Sequence, residues 1–344
     1  MLSRYHGMYA QPKTGLDVVV MSFQSWVVQR ALIIGCGYTG LTLARRLEQS
    51  GVAVTGTRSN LAHPSPLVGH RRSAPHPSGA PPLRARLAWR ALDLLATGPL
   101  ELPEAQDAVV YYMVSTLERQ YTPSGPHMRP MQRCLDALSR QQPRALVYIS
   151  STSVYGDRQG QWVDEESPVA PASPWAYMRV ELEQAVWRFG QQQGLPACVV
   201  RPPEIYGPGR GPVARLRAAA AGTPRQHLLQ HPLRYSNRIH VEDLVTVLHE
   251  LGLRRDPPLL LTADSLPATT LEVYRFAAQQ MGLPPDFVGV GSGSEPRDPN
   301  RQALAQESKR CSNRRLRHWL GQPLRFASYR EGIMAILSAE APGG

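Results

Sequence analysis

Lysine is almost absent from this chain of 344 residues: Lys13 and Lys309 are the only two. The formal net charge of +11 therefore comes almost entirely from arginine. Positive charge of this size makes nucleic acid a partner to consider. The basic stretches at 71–90 and 309–317 match no known nucleic-acid-binding motif. We therefore expect solvated faces there, and a nucleic-acid partner is disfavoured.

Long apolar runs and clustered cysteines are also missing. No stretch of about 18 apolar residues occurs, so the sequence predicts no membrane-spanning helix. The four cysteines, Cys36, Cys134, Cys198 and Cys311, are scattered and form no metal-binding pattern. Free thiols are typical of a reducing compartment, which favours a cytoplasmic location and predicts no metal site. With 42% hydrophobic and 19% charged residues, the composition is that of an ordinary globular protein.

The glycine motif near the N-terminus is the most informative feature that is present. Residues 31–41 read A-L-I-I-G-C-G-Y-T-G-L, and a helical pattern follows. A strand, a G-x-G-x-x-G turn and a helix in this order form the dinucleotide-binding fingerprint. The first glycine permits the turn, the second lets a pyrophosphate approach, and the third allows close helix packing. The candidate cofactor-binding residues are Gly35, Cys36, Gly37, Tyr38, Thr39 and Gly40. The alternative is a glycine-rich turn that binds nothing.

The second strand, predicted at 51–58, indicates which dinucleotide is bound. An NAD site usually places Asp or Glu at the exit of this strand, where it binds the ribose 2′-hydroxyl. No acidic residue occurs between Gly51 and Leu92, and Thr57 and Arg58 stand at the exit instead. An arginine there can pair with a 2′-phosphate. The sequence thus favours NADP(H) over NAD(H); the alternative is that Arg58 is a solvated loop residue.

Alternating strands and helices predict the fold class. Further strands are expected at 87–92, 108–114, 145–149 and 197–201, with helices at 128–140 and 173–193. This alternation is typical of an α/β protein with a doubly wound parallel sheet, the Rossmann architecture. We expect a dinucleotide-binding domain at 30–210 and a smaller mixed α/β lobe at 211–339, interleaved with the first. Residues 1–29 are expected to be a disordered extension and 61–84 a flexible insertion.

Several motifs together resemble the extended short-chain dehydrogenases/reductases, the superfamily of nucleotide-sugar epimerases and dehydratases. They are the glycine loop, the segments 150–156, 205–210 and 238–244, and Tyr177, and the G-C-G-Y-T-G spelling is similar to atypical members. The resemblance implies a small-molecule substrate, with Tyr177 as the proton-transfer residue and Ser151 as the residue whose hydroxyl orients the substrate. It also implies that Asp93 and Leu94 face the adenine, that Pro202 contacts the nicotinamide, and that homodimers are possible.

One position departs from the pattern of the active family members. The lysine expected four residues after the tyrosine is replaced by Glu181. A carboxylate one helical turn from a phenol opposes a second negative charge, so tyrosinate should be scarce at neutral pH. Three interpretations of Tyr177 follow. It is a neutral acid during NADPH-driven reduction, it is catalytically silent in a cofactor-binding protein, or it is an ordinary aromatic residue of the helix.

The candidate substrate residues are Glu204, Arg210 and Arg238. The arginines could grip an anionic group with two parallel hydrogen bonds each. Alternatively, Arg238 forms a structural ion pair, for example with Glu242 or Asp243. The sequence therefore favours an NADP(H)-binding oxidoreductase or epimerase-like enzyme acting on a small carbonyl or sugar-derived substrate. The alternative function is a non-catalytic NADP(H)-binding sensor or assembly factor.

Overall fold

A seven-stranded sheet forms the centre of the molecule. The computed structural model describes residues 28–59, 87–114, 121–222, 227–229, 231–291 and 299–340. Residues 1–27 of the expected extension at 1–29, and the expected insertion at 61–84, lie outside the described residues. The prediction is wrong for residues 28 and 29, because Val28 is buried and the Gln29 carbonyl accepts from the Ala53 N–H at 2.9 Å. Elements in the first half of the chain are β1 (Arg30–Ile34), α1 (Tyr38–Gln49), β2 (Ala53–Arg58), β3 (Ala88–Ala91), β4 (Val109–Tyr112), α2 (Met128–Leu138), β5 (Ala145–Ile149), β6 (Trp162–Val163), α3 (Pro174–Gln193), β7 (Ala197–Arg201) and β8 (Glu204–Tyr206).

The second half alternates short strands with helices. Its elements are α4 (Pro212–Ala221), β9 (His227–Leu229), β10 (Tyr235–Ser236), β11 (Arg238–His240), α5 (Val241–Arg254), β12 (Leu259–Leu261), β13 (Ala268–Thr269), α6 (Thr270–Gln280), β14 (Val288–Val290), α7 (Pro299–Gln306), β15 (Arg310–Cys311), α8 (Arg314–Leu320) and α9 (Tyr329–Glu340). None of the helices that the structure describes is long and apolar enough to span a membrane.

The central sheet has the order β12-β7-β5-β4-β1-β2-β3, and every neighbouring pair in it is parallel. Strand order reverses between β1 and β4, which creates a crevice at the carboxyl ends of the strands. Both faces of the sheet are covered by helices, so its inner strands are apolar on both sides. In β1, for example, Ile33 belongs to one core and Ile34 to the other. The predicted doubly wound sheet is confirmed.

The smaller lobe has its own core but does not form one continuous stretch of chain. Helices α4, α6 and α9 pack around Val273, Tyr274 and Ile333. Between them the chain returns to the large lobe, where α5 packs against α1 and β12 joins the edge of the central sheet. Leu316 and Leu320 of α8 complete the same large core. The expected smaller mixed α/β lobe is therefore present. The expected domain bounds of 30–210 and 211–339 and their interleaving stay a prediction.

Candidate functional site

The glycine loop after β1 adopts the backbone that the fingerprint requires. Gly35 has φ +85°, in the left-handed region that favours glycine, and a Cβ there would lie 3.0 Å from the Val114 nitrogen. A Cβ on Gly40 would lie 3.1 Å from the Ile33 side chain, so the third glycine allows α1 to approach the sheet closely. At Gly37, by contrast, such a Cβ would meet no atom within 4 Å in the described part of the chain, apart from its own two neighbours in sequence. The space above the second glycine is open at the N-terminus of α1, where backbone N–H groups favour an anion.

Thr57, on β2, supports this loop through hydrogen bonds to Gly35 and Cys36. The Cys36 N–H donates to the Thr57 carbonyl (2.8 Å), and the Gly35 N–H donates to Thr57 Oγ1 (3.2 Å). Thr57 is buried, so its hydroxyl supports the loop rather than facing solvent. Burial raises the pKa of the Cys36 thiol to about 11, because it opposes the thiolate more strongly than nearby Arg58 favours it. Cys36 is therefore a small packing residue of the turn and remains protonated at neutral pH.

Arg58, at the end of β2, bends back over the same loop. Its Nε donates to the Cys36 carbonyl at 2.9 Å, and its guanidinium carbon lies 4.4 Å from the centroid of the Trp89 ring. The Leu92 N–H donates to the Arg58 carbonyl (2.8 Å), which joins this strand end to the segment after β3. Arg58 is thus held at the rim of the crevice and is not a freely solvated loop residue.

Asp93 and Leu94 follow β3, beside the end of β2. The Asp93 side chain is exposed and accepts a hydrogen bond from the Leu95 N–H at 2.9 Å. Leu94 is buried, and its carbonyl accepts from Arg133 Nη1 at 2.8 Å. The pair therefore lies at the same sheet edge as Arg58, because the carboxyl ends of neighbouring parallel strands meet there.

Tyr38 connects the glycine loop to the turn at 207–210. A Cβ on Gly207 would lie 2.5 Å from Tyr38 Oη, and the Arg210 guanidinium lies 5.3 Å from the Tyr38 ring centroid. Tyr38 Oη is buried without a hydrogen-bond partner among the residues with described positions. Burial raises the pKa of Tyr38, so the phenol stays neutral. Thr39 follows it in the first turn of α1 and is partly buried.

Ser151 begins the 3₁₀ turn at Thr152–Tyr155, directly after β5. Its Oγ accepts a hydrogen bond from the Ser153 N–H at 3.1 Å, so the hydroxyl proton is left to donate elsewhere. Helix α3 packs against this turn, and Tyr177 lies in the first half of that helix. Tyr177 is partly exposed. The structure thus places the two candidate catalytic residues on elements in contact, at the carboxyl end of the sheet.

Tyr177 does not stand alone in the structure, because Tyr121 lies flat against it. The two ring centroids are 5.0 Å apart and the rings are nearly parallel, at 19°. The geometry is that of an offset aromatic stack. No arginine or lysine forms a hydrogen bond to Tyr177 in the part of the chain that the structure describes. Lys309 is committed elsewhere, since its ammonium donates to the Gly156 carbonyl (2.8 Å) and pairs with Glu307.

Glu181, at the position of the missing lysine, holds the segment 121–127. Its carboxylate accepts hydrogen bonds from Tyr121 Oη (2.7 Å) and from the Ser124 N–H (3.1 Å). His127 Nε2 lies 2.9 Å from the same carboxylate, and the His127 ring is buried. Glu181 therefore does not project freely beside Tyr177. It fixes the segment that carries Tyr121.

Glu204 lies between two arginines just beyond β7. Its Oε1 is 2.7 Å from Arg215 Nη1, and its Oε2 is 3.3 Å from Arg238 Nε. Burial raises the pKa of Glu204, but Arg238 and Arg215 together outweigh this and hold it below its ordinary value. Arg215 Nη1 also donates to Tyr274 Oη at 2.7 Å. The ion pair considered for Arg238 is thus formed with Glu204 rather than with Glu242 or Asp243.

The remaining candidates lie close to this cluster in the chain but differ in exposure. Pro202 is buried, and its carbonyl accepts from the Thr152 N–H at 3.1 Å, which ties the end of β7 to the turn after Ser151. Arg210 is exposed and occupies a tight turn in which its backbone pairs with Gly207. Arg238 is almost fully buried. The structure therefore brings Glu204 and Arg238 together, and it places Arg210 with Tyr38 instead.

Sequence inspection missed four residues that shape the site: Trp89, Tyr121, Arg215 and Tyr274. No motif marks them, and their roles depend on which ring or guanidinium lies against them in the fold. For Tyr121 one signal was available. An acidic residue in place of a motif lysine should be compensated by donors from another element, because a half-buried carboxylate needs hydrogen-bond partners.

Comparison with known proteins agrees with this architecture. The sequence profile of the NAD dependent epimerase/dehydratase family matches residues 31–256. The uncharacterized UDP-glucose epimerase YtcB of Bacillus subtilis is 29% identical over 120 residues, 35% of this chain and 36% of that protein. Protein YeeZ of Escherichia coli K12 is 27% identical over 223 residues, 63% of this chain and 71% of that protein. The chain thus aligns with little more than a third of YtcB.

A solved structure shows the same fold along nearly the whole length. MoeE5, solved in complex with UDP-glucose and NAD, superposes with a TM-score of 0.69 at 22% identity, covering 90% of this chain and 98% of MoeE5. Identity at this level shows the shared fold alone. Taken with the profile match over most of the described large lobe, the parallel sheet and the glycine loop lead to one conclusion: the chain belongs to the NAD dependent epimerase/dehydratase family.

Proposed function

We propose that this protein is an NADP(H)-dependent oxidoreductase or epimerase-like enzyme that acts on a small carbonyl or sugar-derived substrate carrying an anionic group. The observation that carries the proposal is the open space above Gly37 at the N-terminus of α1, in the loop to which the Arg58 side chain donates a hydrogen bond. A diphosphate bridge fits there, because backbone N–H groups and a glycine without a side chain face it. Asp93 and Leu94 flank the adenine end of this crevice.

The preference for NADP(H) rests on charge at the ribose end. Arg58 lies at the strand exit where an acidic residue would bind a 2′-hydroxyl, and no acidic residue occurs from 51 to 92. A guanidinium can accept a 2′-phosphate through charge-assisted hydrogen bonds. When bound, the cofactor supplies or accepts a hydride at its nicotinamide.

The protein's own residues supply proton transfer and orientation. Tyr177 is the proton donor to a substrate oxygen and acts from its neutral form, since no cation is hydrogen-bonded to it among the described residues. Ser151 donates its hydroxyl proton to the same oxygen, because its lone pair is engaged by the Ser153 N–H. Pro202 lies at the end of β7 beside this pair and exposes no backbone N–H. A neutral phenol suits reduction, where a proton is delivered, better than oxidation, where one must be removed.

The anionic group of the substrate is proposed to bind at Arg215 and Arg238. Both guanidiniums face the carboxylate of Glu204, and the other carboxyl beside Arg238, Asp264, has its pKa raised by burial to about 7. Arg215 is about half exposed, with 54% of its side chain accessible, and can reach a ligand. Arg210 borders the same crevice at the turn that contacts Tyr38. Glu204 then competes with the substrate anion, so Glu204→Gln should tighten the binding of that anion.

Calorimetric titration of the purified protein with NADPH and NADH tests the cofactor assignment. We expect NADPH to bind at least about tenfold more tightly, a difference that one charge-assisted contact supplies. Arg58→Ala should remove most of that preference. Binding of neither cofactor would overturn the proposal as a whole, whereas equal losses for both cofactors in Arg58→Ala would overturn the role of Arg58.

Turnover is tested by following NADPH absorbance with a panel of aldehydes, ketones and nucleotide sugars. For any substrate found, Tyr177→Phe should reduce kcat by about 10²-fold or more, the usual contribution of a positioned proton donor. Unchanged kcat in Tyr177→Phe would show that Tyr177 is not the acid.

A second candidate function is a non-catalytic NADP(H)-binding sensor or assembly factor. The observation that favours it is Glu181, whose carboxylate occupies the lysine position and holds Tyr121 against the Tyr177 ring. If NADPH binds but no member of the panel is turned over, and Tyr177→Phe leaves NADPH affinity unchanged, this candidate replaces the first.

A further inference from the structure

Arg58 is held in position by two contacts that use different parts of its side chain. Its Nε donates to the Cys36 carbonyl, which fixes the direction of the guanidinium fork. Its flat face lies over Trp89, with 4.4 Å from the guanidinium carbon to the ring centroid. No ion pair or hydrogen bond to the two terminal nitrogens is found within the described ranges. Their N–H donors are therefore available, and they lie at the rim of the crevice.

Trp89 reaches Arg58 because of a glycine in the neighbouring strand. Gly56 and Trp89 are direct partners in the parallel pairing of β2 with β3. A Cβ on Gly56 would lie 3.1 Å from Trp89 Cζ3 and 3.1 Å from Cys36 Sγ. The indole thus crosses the strand over the missing side chain. Gly56 and Arg58 are two residues apart in a strand and share one face of the sheet, so the ring lands beneath the guanidinium.

Trp89 is only partly buried, and its ring restrains the Arg58 side chain. It is a large apolar residue with 39% of its surface exposed, at an edge strand of the sheet. A ring over a guanidinium restrains a side chain that would otherwise sample many rotamers. Restraint of this kind lowers the entropic cost of ligand binding, because less freedom remains to be lost.

We propose that Trp89 is a specificity-determining positioning residue that holds the Arg58 guanidinium so that its terminal N–H groups face the 2′-phosphate of NADP(H). This inference rests on the proposed function, since it assumes that Arg58 distinguishes the two cofactors. Trp89 acts through Arg58 and makes no contact with the phosphate itself. It therefore affects the affinity for NADPH and leaves the affinity for NADH nearly unchanged.

A double-mutant cycle measured by calorimetry tests this inference. Trp89→Leu should weaken NADPH binding by about fivefold, the loss that corresponds to a cation–π contact at a partly exposed site, and NADH binding by less than about twofold. Trp89→Phe keeps an aromatic face and should stay within about threefold of the wild type. In an Arg58→Ala background, Trp89→Leu should change NADPH affinity by less than about twofold, because its effect passes through the arginine.

Two further measurements separate the possible failures. The probes 2′,5′-ADP and 5′-AMP repeat the comparison without the nicotinamide half, and only the first should respond to Trp89→Leu. Trp162→Leu is the matched control, since Trp162 is an exposed tryptophan on β6 with 57% of its surface accessible; it should leave both affinities unchanged. Melting temperatures establish that each variant is folded.

Each outcome has one meaning. Equal weakening of NADPH and NADH by Trp89→Leu, or additive losses in the cycle, overturn the inference and leave the proposed function intact. The NADP(H) assignment on which the inference rests is overturned if the wild type binds NADPH and NADH equally and Arg58→Ala changes neither affinity. The role of Trp89 alone is overturned if the wild type prefers NADPH and Arg58→Ala removes this preference, but Trp89→Leu leaves NADPH affinity unchanged.

Discussion

Glu181 shows, at the scale of a single residue, that a substitution in a motif can acquire partners of its own. Glu181 does more than replace a lysine, because its carboxylate accepts hydrogen bonds from Tyr121 and Ser124 and contacts His127. A charge with several donors is a structural anchor as well as an electrostatic element. The neighbouring Tyr177 must therefore be considered together with the segment that Glu181 holds.

Restoring the motif lysine by Glu181→Lys is predicted to destabilise the protein. The ammonium cannot accept the hydrogen bonds of Tyr121 and Ser124, and it places a cation against buried His127. We expect the free energy of unfolding to fall by about 2–4 kcal/mol. Urea denaturation measures the change. Glu181→Gln is the matched control, since it keeps one acceptor oxygen and should lose less; equal stability of the lysine variant and the wild type would contradict the anchoring role.

A second prediction concerns Asp264, a buried carboxyl beside Arg238. Burial raises the pKa of Asp264 from 3.8 to about 7. The folded state therefore prefers the protonated acid, and stability from this group is present below about pH 4 and is lost as pH rises towards 7. Asp264→Asn removes that loss and keeps an oxygen for the Leu266 N–H. Relative to the wild type, the variant should gain about 2–3 kcal/mol between pH 5 and pH 8.

The measurement for Asp264 is the difference in unfolding free energy between variant and wild type across that pH range. Asp243 titrates within that range, because burial raises its pKa to about 6, whereas burial lowers the pKa of His240 to about 4, below the range. The His240 contribution is common to both proteins and cancels in the difference, whereas part of the Asp243 contribution remains, because the Asp243 charge raises the pKa of Asp264. A difference that does not change with pH would show that Asp264 ionises normally in the fold.

At the scale of the element, two positions of the glycine loop are predicted to affect different properties: Gly35 the stability of the fold, and Gly37 the binding of the cofactor. Gly35→Ala places a side chain at φ +85° and against the Val114 backbone, so it should cost about 2–3 kcal/mol of stability. Gly37→Ala meets open space at φ −85° and should change stability by less than about 1 kcal/mol. It should nevertheless weaken NADPH binding about tenfold or more, because its methyl group occupies the path of the diphosphate. Thermal melts and calorimetry distinguish these outcomes; tight binding by Gly37→Ala would contradict the proposed cofactor position.

Helix α3 is attached to the sheet by a buried ion pair that the sequence does not reveal. Glu183 accepts from Arg201 Nε (3.0 Å) and Nη2 (2.6 Å), and Ser150 Oγ donates to the same carboxylate (2.5 Å). Arg201→Met leaves the Glu183 charge buried without its partner. We predict a loss of about 3–5 kcal/mol in denaturation experiments. The double variant Glu183→Leu with Arg201→Met should recover part of it, and an equal or greater loss in the double variant would contradict this explanation.

Elements with a strong local signal are the ones that the sequence predicts. The apolar run of β1, the glycine turn and the amphipathic α1 are adjacent in the chain, and each supports the others. Helix α3 lies where its pattern predicts it, with Ser173 as its N-terminal cap. The predicted strand at 108–114 is shorter, Val109–Tyr112, and just beyond it the Met113 N–H still donates to the Ile34 carbonyl of β1 at 2.8 Å. Helix α2 ends at Leu138, two residues before its predicted end, since Ser139 closes it.

At the scale of the whole molecule, the sequence predicts the crevice better than it predicts the residues that fill its sides. Strand β12 has only three residues, and no local pattern assigns it to the edge of the central sheet, which long-range pairing with β7 decides. The same holds for the stack of Tyr121 on Tyr177 and for Trp89 beneath Arg58. The proposed cofactor-binding residues of the glycine loop lie in one contiguous motif, whereas these partners come from distant parts of the chain.

The return of the chain to the large lobe after residue 240 bears on any attempt to divide this protein. A fragment ending at 210 would contain the entire glycine motif, yet it would lack α5, which covers α1, and the edge strand β12. The leucines of α1 that α5 covers would then be exposed to water. Exposed apolar surface favours self-association, so we expect the fragment to self-associate rather than to bind the cofactor.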